Sequence, residues 1–356
     1  FSQRFARMKT FRKFIAALLA LGCALSLSAC GQVEAVENQL FAMNSSVSLK
    51  AYGKNAEAGL KAAASVISSI DSALDPEREG STLYNINHSG GEGVVVTGQV
   101  AEMCQTAMEV YTATQGALDL SVYPLVKAWG FVDGRYTVPS EAEIESLLQK
   151  VGFSSVSISA MAGTDSYLLT MPAGMELTFA SIARGCAAMY AVRALRQAGV
   201  ESGIVSFGGT VQTLGTKPDG SDWIVALQDP VNTGNYLALL DVGEDTAVVT
   251  SGGYLRYFVD GDGNRWTHII DPSDGFPVEN GLLSATVICE NGTYADALST
   301  ALCVMGEDDA KKFYKNNSGF EIILITDDQR IVVSEGVRDS FTLSNNDYSV
   351  ESLSRR

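Results

Sequence analysis

His268 closes a run of alternating residues and is followed at once by Ile269-Ile270-Asp271-Pro272-Ser273-Asp274-Gly275, in which Pro272 and Gly275 force a turn. A histidine held at a strand end beside a tight turn can present its ring to a cleft and take up a proton near neutral pH. On spacing alone, a histidine bonded within its own turn is the simpler account. Further on, Asp296 and Thr300 stand four apart in a helical segment, with Ser299 beside them, and residues at that spacing share a face. A carboxylate, hydroxyls and a nearby backbone carbonyl form a hard oxygen set suited to Mg2+ that also holds phosphates. An aspartate placed early in a helix to suit its macrodipole is again the simpler account. Two turns, Thr250-Ser251-Gly252-Gly253 and Phe207-Gly208-Gly209-Thr210, would let backbone N–H groups close on a phosphate, as would many ordinary turns. Trp129 and Trp223 are candidates to line a ring pocket, although single tryptophans usually belong to a core. The only histidines are His88 and His268, which argues against a histidine-based metal site, and no Walker loop, GxSxG, HExxH or strand-linked GxGxxG is present.

These groups need elements to hold them. Alternation predicts strands over 45–52, 154–159, 167–171, 203–207, 223–228, 246–250, 254–259, 265–270, 283–289, 320–326 and 330–334. Helical periodicity predicts helices over 55–74, 98–114, 181–198, 294–304 and 307–316, and a capping box at Ser140 and Glu143 starts another that ends near Gly152. Asp260-Gly261-Asp262-Gly263 reads as the turn of a hairpin that ends on His268. Long helices with runs of antiparallel strands predict an α+β fold with mixed and antiparallel sheets.

The chain has 356 residues, 46% apolar and 19% charged, which predicts a globular body with a substantial core. Its N-terminus reads differently. Lys9, Arg12 and Lys13 precede the apolar run 14–27, and Leu27-Ser28-Ala29-Cys30 follows. This predicts a secretory leader over 1–29, starting at Met8, with a lipobox whose Cys30 is acylated, and a tether over 30–40. The functional domain is expected over 41–340 and a tail over 341–356. Without 1–29, 20 basic residues face 41 acidic ones, a net charge of −21, which disfavours nucleic acid as a partner. The remaining cysteines, Cys104, Cys186, Cys289 and Cys303, lack zinc-type spacing and read as single buried thiols.

Taken in order, several segments resemble those of the FAD:protein FMN transferase family, the ApbE-type flavin transferases. They are Met43-Asn44-Ser45, Ser81 to Asn87, Gly116-Ala117-Leu118-Asp119, Pro124-Leu125-Val126 with Trp129-Gly130-Phe131, Ser181-Ile182-Ala183-Arg184-Gly185, Gly208-Gly209, Asp219-Gly220 with Trp223, Thr250-Ser251-Gly252, His268 to Pro272, and Ala295 to Thr300. The resemblance implies an ApbE-like, T-fold-related α+β fold with FAD in a cleft between two lobes. It implies FAD contacts at Met43, Ala117, Leu118, Asp119, Thr178, Arg184 and Ile270, and Mg2+ ligands from the Ser181 carbonyl, Asp296, Ser299 and Thr300. His268 falls in the role of base. Thr178 stands where the family usually carries Asp, and Ser299 where some members carry a second Asp.

The activity implied is Mg2+-dependent transfer of FMN from FAD to a Thr or Ser hydroxyl of an exported flavoprotein, releasing AMP. An FAD pyrophosphatase and a non-enzymatic FAD-binding lipoprotein are the alternatives. The expected location is the outer face of a bacterial membrane, held by the lipid alone.

Overall fold

The computed structural model describes residues 34–254 and 256–356. Cys30 and the expected leader lie outside them. No helix among the described residues is long and apolar enough to cross a membrane.

The frame is a nine-stranded sheet in the order Ala35–Ala42, Ser45–Tyr52, Gly203–Phe207, Thr210–Leu214, Ala247–Gly252, Leu282–Cys289, Glu321–Thr326, Arg330–Ser334 and Ser349–Leu353. From Ser45–Tyr52 to Arg330–Ser334 the neighbours run antiparallel, and only Ser349–Leu353 joins in parallel. Both faces of the sheet are covered. On one side the helices Ala56–Ala73, Ala183–Gln197 and Gly292–Asn316 bury Val47, Leu49, Val205, Val249, Val287 and Leu324. On the other, the small sheet of Trp223–Gln228, Tyr236–Val242 and Phe341–Leu343 buries Val248, Ile288, Ile323 and Val333. Successive residues of one strand therefore enter different cores. This is why Glu321–Thr326 and Arg330–Ser334 read as continuous apolar runs rather than alternating ones.

A separate small core forms around Leu125, Trp129, Phe131, Ile144 and Ile270. It supports the two-stranded ribbon of Tyr257–Val259 and Arg265–Thr267. Asp260 closes that ribbon as expected, accepting from the Asp262 and Asn264 N–H groups. The strand expected to reach residue 270 stops at Thr267. Ile269 and Ile270 turn into the core, where Ile270 bridges to Pro277.

Other expectations are corrected. The end of the expected tether is the strand Ala35–Ala42, and the expected tail 341–356 supplies two strands, one for each sheet. Strands Val94–Val96, Thr210–Leu214 and Tyr236–Val242 and the helices Thr82–Asn87 and Tyr123–Ala128 were not legible as elements, being short or lacking alternation. The two helices expected after Asn291 do follow one another, separated by a break at Gly306, where φ is +77°.

Trp129 and Trp223 are core residues rather than pocket walls. Each is buried, and their indole N–H groups donate to the carbonyls of Gly275 and Gly215. Cys104, Cys186, Cys289 and Cys303 are free thiols, all buried except the half-buried Cys289.

Candidate active site

The hydroxyl face of Gly292–Asn316 meets one end of the main sheet. Ser299 Oγ lies 2.8 Å from Ser251 Oγ, and Thr300 Oγ1 lies 3.1 Å from the same atom. Both side chains also lean on the Asp296 carbonyl, at 2.9 and 3.4 Å. The Thr250-Ser251-Gly252-Gly253 turn and this helix face, separate in the sequence, therefore form one cluster. The glycine turn at 207–210 joins it, because Thr250 N donates to Gly209 O at 2.7 Å. Ser45 arrives beside Gly208, 3.6 Å from where a Cβ would stand.

Asp296 lies at the bottom of the cluster, 2% exposed. Its Oδ2 accepts from Gly185 N at 2.8 Å. Gly185 is the third residue of Ala183–Gln197, whose preceding residue Ile182 offers no side-chain cap. Asp296 thus satisfies an N–H that the helix leaves open. Burial pushes its carboxyl pKa up, while the Arg184 charge and the N–H groups of Gly185 and Arg184 pull it down. It forms no ion pair among the described residues.

Gly185 is where two helices touch. A Cβ there would stand 2.0 Å from Gly292 O and 2.6 Å from Asp296 Cβ. Only glycine permits that approach. It brings Arg184 to Asp296, which feels both its N–H and its charge, and half-buried Ser181 lies just before the same helix.

His268 approaches from the ribbon. The register that pairs Tyr257 with Thr267 continues by one step, and His268 N donates to Arg256 O at 3.1 Å. The imidazole Nδ1 lies 3.2 Å from the same carbonyl, and the ring stands edge-on to Phe131 at 6.4 Å. The residue keeps some exposed surface, yet protein surrounds the ring. Burial, then the Arg256 charge and, more weakly, Arg184 lower its pKa to about 4. At neutral pH the ring is uncharged. Thr267 packs on Gly253, where a Cβ would meet its Cγ2 at 2.6 Å. The histidine and the hydroxyl cluster are therefore joined through one turn.

The remaining predicted residues divide. Met43 and Asn44 form the turn between the first two strands, both with positive φ, +51° and +55°. That pair of angles suits a two-residue hairpin, but methionine rarely adopts it. Met43 N is held by Asp71 Oδ1 at 2.8 Å. Thr178 N donates to Leu120 O at 2.8 Å, which brings Thr178 to the Ala117–Asp119 segment. Asn87 fixes this region by clasping both backbone groups of Leu177.

Asp119 is buried, and its carboxylate is occupied by Ser121 and by Phe153 N. Burial raises its pKa against these bonds. Leu118 and Ile270 are buried apolar side chains, so their backbone is what they can offer a ligand. His88 bonds and stacks on Tyr84 within its own helix end, away from the hydroxyl cluster.

Two residues escaped the sequence reading. Arg256 directly faces His268. Ser284, opposite Gly252 in the ladder, is buried with a hydroxyl lacking any partner among the described residues, as does Thr267 Oγ1. Ser284 lies on the small-sheet face with Ile288, whereas Ser251 faces the helices with Val249 and Val287. Of the two orphan hydroxyls, only that of Thr267, packed on Gly253, adjoins the turn on the site side. Neither residue carried a sequence signal, since each depends on strand register.

The oxygen set suits a hard divalent cation: one buried carboxylate without an ion pair and the Ser299 and Thr300 hydroxyls. No group of three His, Cys, Asp or Glu able to hold a metal occurs among the described residues. Any cation here must rely on hydroxyls, carbonyls, water or substrate for its other ligands.

The profile of the ApbE family matches residues 43–324. The chain is 31% identical over 309 residues to the FAD:protein FMN transferase of Klebsiella pneumoniae (strain 342), covering 86% of this chain and 94% of that one. It is 30% identical over 260 residues to the Escherichia coli (strain K12) protein of the same name, covering 72% and 73%. The crystal structure of the ApbE protein from Thermotoga maritima superposes with a TM-score of 0.79 at 29% identity, covering 86% of this chain and 99% of that one. The flavin transferase ApbE from Vibrio cholerae gives 0.73 at 25%, covering 87% and 96%.

Proposed function

The chain belongs to the ApbE family, and on that premise we propose that it transfers FMN from FAD to a target protein with the residues gathered around His268 and Asp296. It is a transferase that takes FAD as substrate. The observation that carries the site assignment is the junction of His268 to the Ser251, Ser299 and Thr300 hydroxyls through the Thr250–Gly253 turn.

The acceptor is a Thr or Ser hydroxyl. Its oxygen attacks the phosphorus of the FMN half, and the bond from that phosphorus to the bridging oxygen breaks. The hydroxyl proton passes to the uncharged imidazole of His268, and AMP leaves with the bridging oxygen and its electron pair. An uncharged ring is the form that can receive this proton. Positioning and charge neutralisation carry most of the work in phosphoryl transfer. The glycines of Gly208–Gly209 and Gly252–Gly253 let a phosphate approach the backbone closely, and the Thr267 hydroxyl has a bond still to give.

Asp296, Ser299, Thr300 and the Ser181 carbonyl would hold Mg2+, which neutralises phosphate charge when bound. Met43, Ala117, Leu118, Asp119, Thr178, Arg184 and Ile270 form the remaining flavin-nucleotide contacts. For Leu118 and Ile270 these run through backbone.

The test follows flavin and AMP together. The whole chain is incubated with FAD, Mg2+ and an acceptor domain bearing an exposed Thr. Covalent flavin fluorescence on a denaturing gel should match AMP release. His268→Ala should still bind FAD and lose transfer by about 10²–10⁴-fold, the usual range for general acid–base catalysis. Near-normal turnover would remove His268 from this role, and AMP released without labelled acceptor would mark hydrolysis instead.

The leader and Cys30 support an exported protein tethered to the outer face of a bacterial membrane by acylation. Cys30→Ser should move it from the membrane pellet to the soluble fraction, and unchanged pelleting would argue against the anchor.

A further inference from the structure

A chain with 41 acidic residues against 25 basic ones leaves Arg256, beside its candidate base, with no carboxylate partner among the described residues. Arg256 and Arg184 appear in no ion pair among the described residues. Arg256 is fixed nonetheless. It continues the ribbon register opposite His268, on the ribbon face shared with Phe258. Its guanidinium donates to the Phe131 carbonyl and lies 5.9 Å from the centre of that ring. The bond to Phe131 occupies one N–H, and a guanidinium carries five. No other bond of that guanidinium occurs among the described residues. The residue keeps exposed surface although its head is partly buried, so a ligand can reach the remaining N–H groups.

Burial and the neighbouring Arg184 hold Arg256 below the usual arginine pKa, with Tyr136 acting the other way. Asp296 offsets Arg184, whereas no acid among the described residues offsets Arg256, and its repulsion from Arg184 is relieved when an anion arrives. Arg265, on the outer face of the same ribbon, provides the contrast, because it stacks on the exposed Tyr257 ring. We propose that Arg256 is a further catalytic residue: its free N–H groups grip the pyrophosphate oxygens of FAD beside His268 and stay with the phosphoryl group as the acceptor hydroxyl attacks. This rests on the transferase reading above. A planar fork can hold two oxygens at once and follow them through inversion at phosphorus.

The pairing also couples binding to proton transfer. The charges that face His268 are Arg256 from the ribbon and Arg184 from the helix Ala183–Gln197, and both lower its pKa. A bound pyrophosphate offsets those charges and makes the imidazole a stronger base when it is needed.

The experiment uses inorganic pyrophosphate as probe and the whole chain as protein. Arg256→Gln should weaken pyrophosphate binding at least tenfold, and Arg256→Lys by less. Arg265→Gln should leave binding unchanged. Tryptophan fluorescence from Trp129 and Trp266, which flank the ribbon core, reports whether each variant keeps its fold.

The kcat/KM profile supplies a second readout. The active form is neutral His268, so activity falls as pH drops through its pKa. Removing a neighbouring cation raises that pKa, so the acid limb of Arg256→Gln should move to higher pH. The limb of Arg256→Lys should stay in place. If folded Arg256→Gln binds pyrophosphate like the wild type, or keeps the wild-type acid limb, the proposal is overturned. If the wild type itself transfers no flavin, the transferase reading fails instead, and pyrophosphate binding still decides the anion site.

Discussion

Asp296 carries two duties that one substitution can separate. Its Oδ2 caps the Gly185 N–H, and it is the one carboxylate of the hydroxyl cluster among the described residues. Asp296→Asn keeps an acceptor oxygen for the cap and removes the charge. It should cost about 1 kcal/mol or less in urea unfolding, since a capping bond of this kind is worth about that much. The Mg2+ concentration needed for half-maximal transfer should rise at least tenfold, because a hard cation would lose its one anionic ligand. Unchanged Mg2+ dependence would leave Asp296 as a cap alone. His268 contributes its own pH sensitivity. Its folded pKa lies below the ordinary value, so the unfolded chain binds the proton more tightly. Stability is therefore full above about pH 6.5 and falls as pH drops from there toward 4. At this scale the sequence made the groups visible but not their partners. His268, Asp296, Ser299 and Thr300 stood out by type and spacing, whereas Arg256 depends on a register that no local pattern encodes.

The contact between the helices Ala183–Gln197 and Gly292–Asn316 decides where those groups stand. Gly185 faces Gly292 so closely that any side chain strikes backbone. Gly185→Ala should destabilise the chain by about 3 kcal/mol, the upper part of the usual overpacking range, because the obstacle is a carbonyl that cannot rotate away. Asp296 Cβ would also be displaced, so surviving activity should show a raised Mg2+ requirement. A urea midpoint within error of the wild type would contradict the crossing. The helices and longer strands were legible because their period is intrinsic to the segment. Thr210–Leu214 was not, since all five of its residues are buried and it alternates nothing. Tyr236–Val242 was missed for a related reason: its side chains divide between a core and an exposed face without a regular pattern. The small core under the ribbon was hidden too, being assembled from residues as far apart as Leu125 and Ile270.

The whole molecule depends on the segment that reads as a tail. Ser349–Leu353 closes the main sheet in parallel with Arg330–Ser334, and Phe341–Leu343 edges the small sheet. Phe341, Tyr348 and Leu353 are buried, the first two between the sheets and the third against the helices. The Tyr348 hydroxyl donates to buried Asp229 at 3.0 Å. Arg355 donates to the carbonyls of Tyr314, Asn317 and Phe320, closing the end of Gly292–Asn316. The pattern misleads because polar residues separate these anchors and parallel pairing needs no adjacent turn. Fully burying each large apolar side chain contributes about 1.5–3 kcal/mol, so three of them outweigh much of a domain's net stability of about 5–15 kcal/mol. A chain ending at Ser340 should therefore show no cooperative thermal transition and should collect in the insoluble fraction. Removing 354–356 alone takes away the Arg355 closure and leaves both strands. Hydrogen bonds to a charged group contribute about 1.5–3 kcal/mol, so that shorter truncation should stay soluble with a lowered midpoint. If the chain ending at Ser340 melts cooperatively near the wild-type temperature, the last strands are dispensable, and the site at the far end of helix Gly292–Asn316 draws its rigidity from the other strands alone.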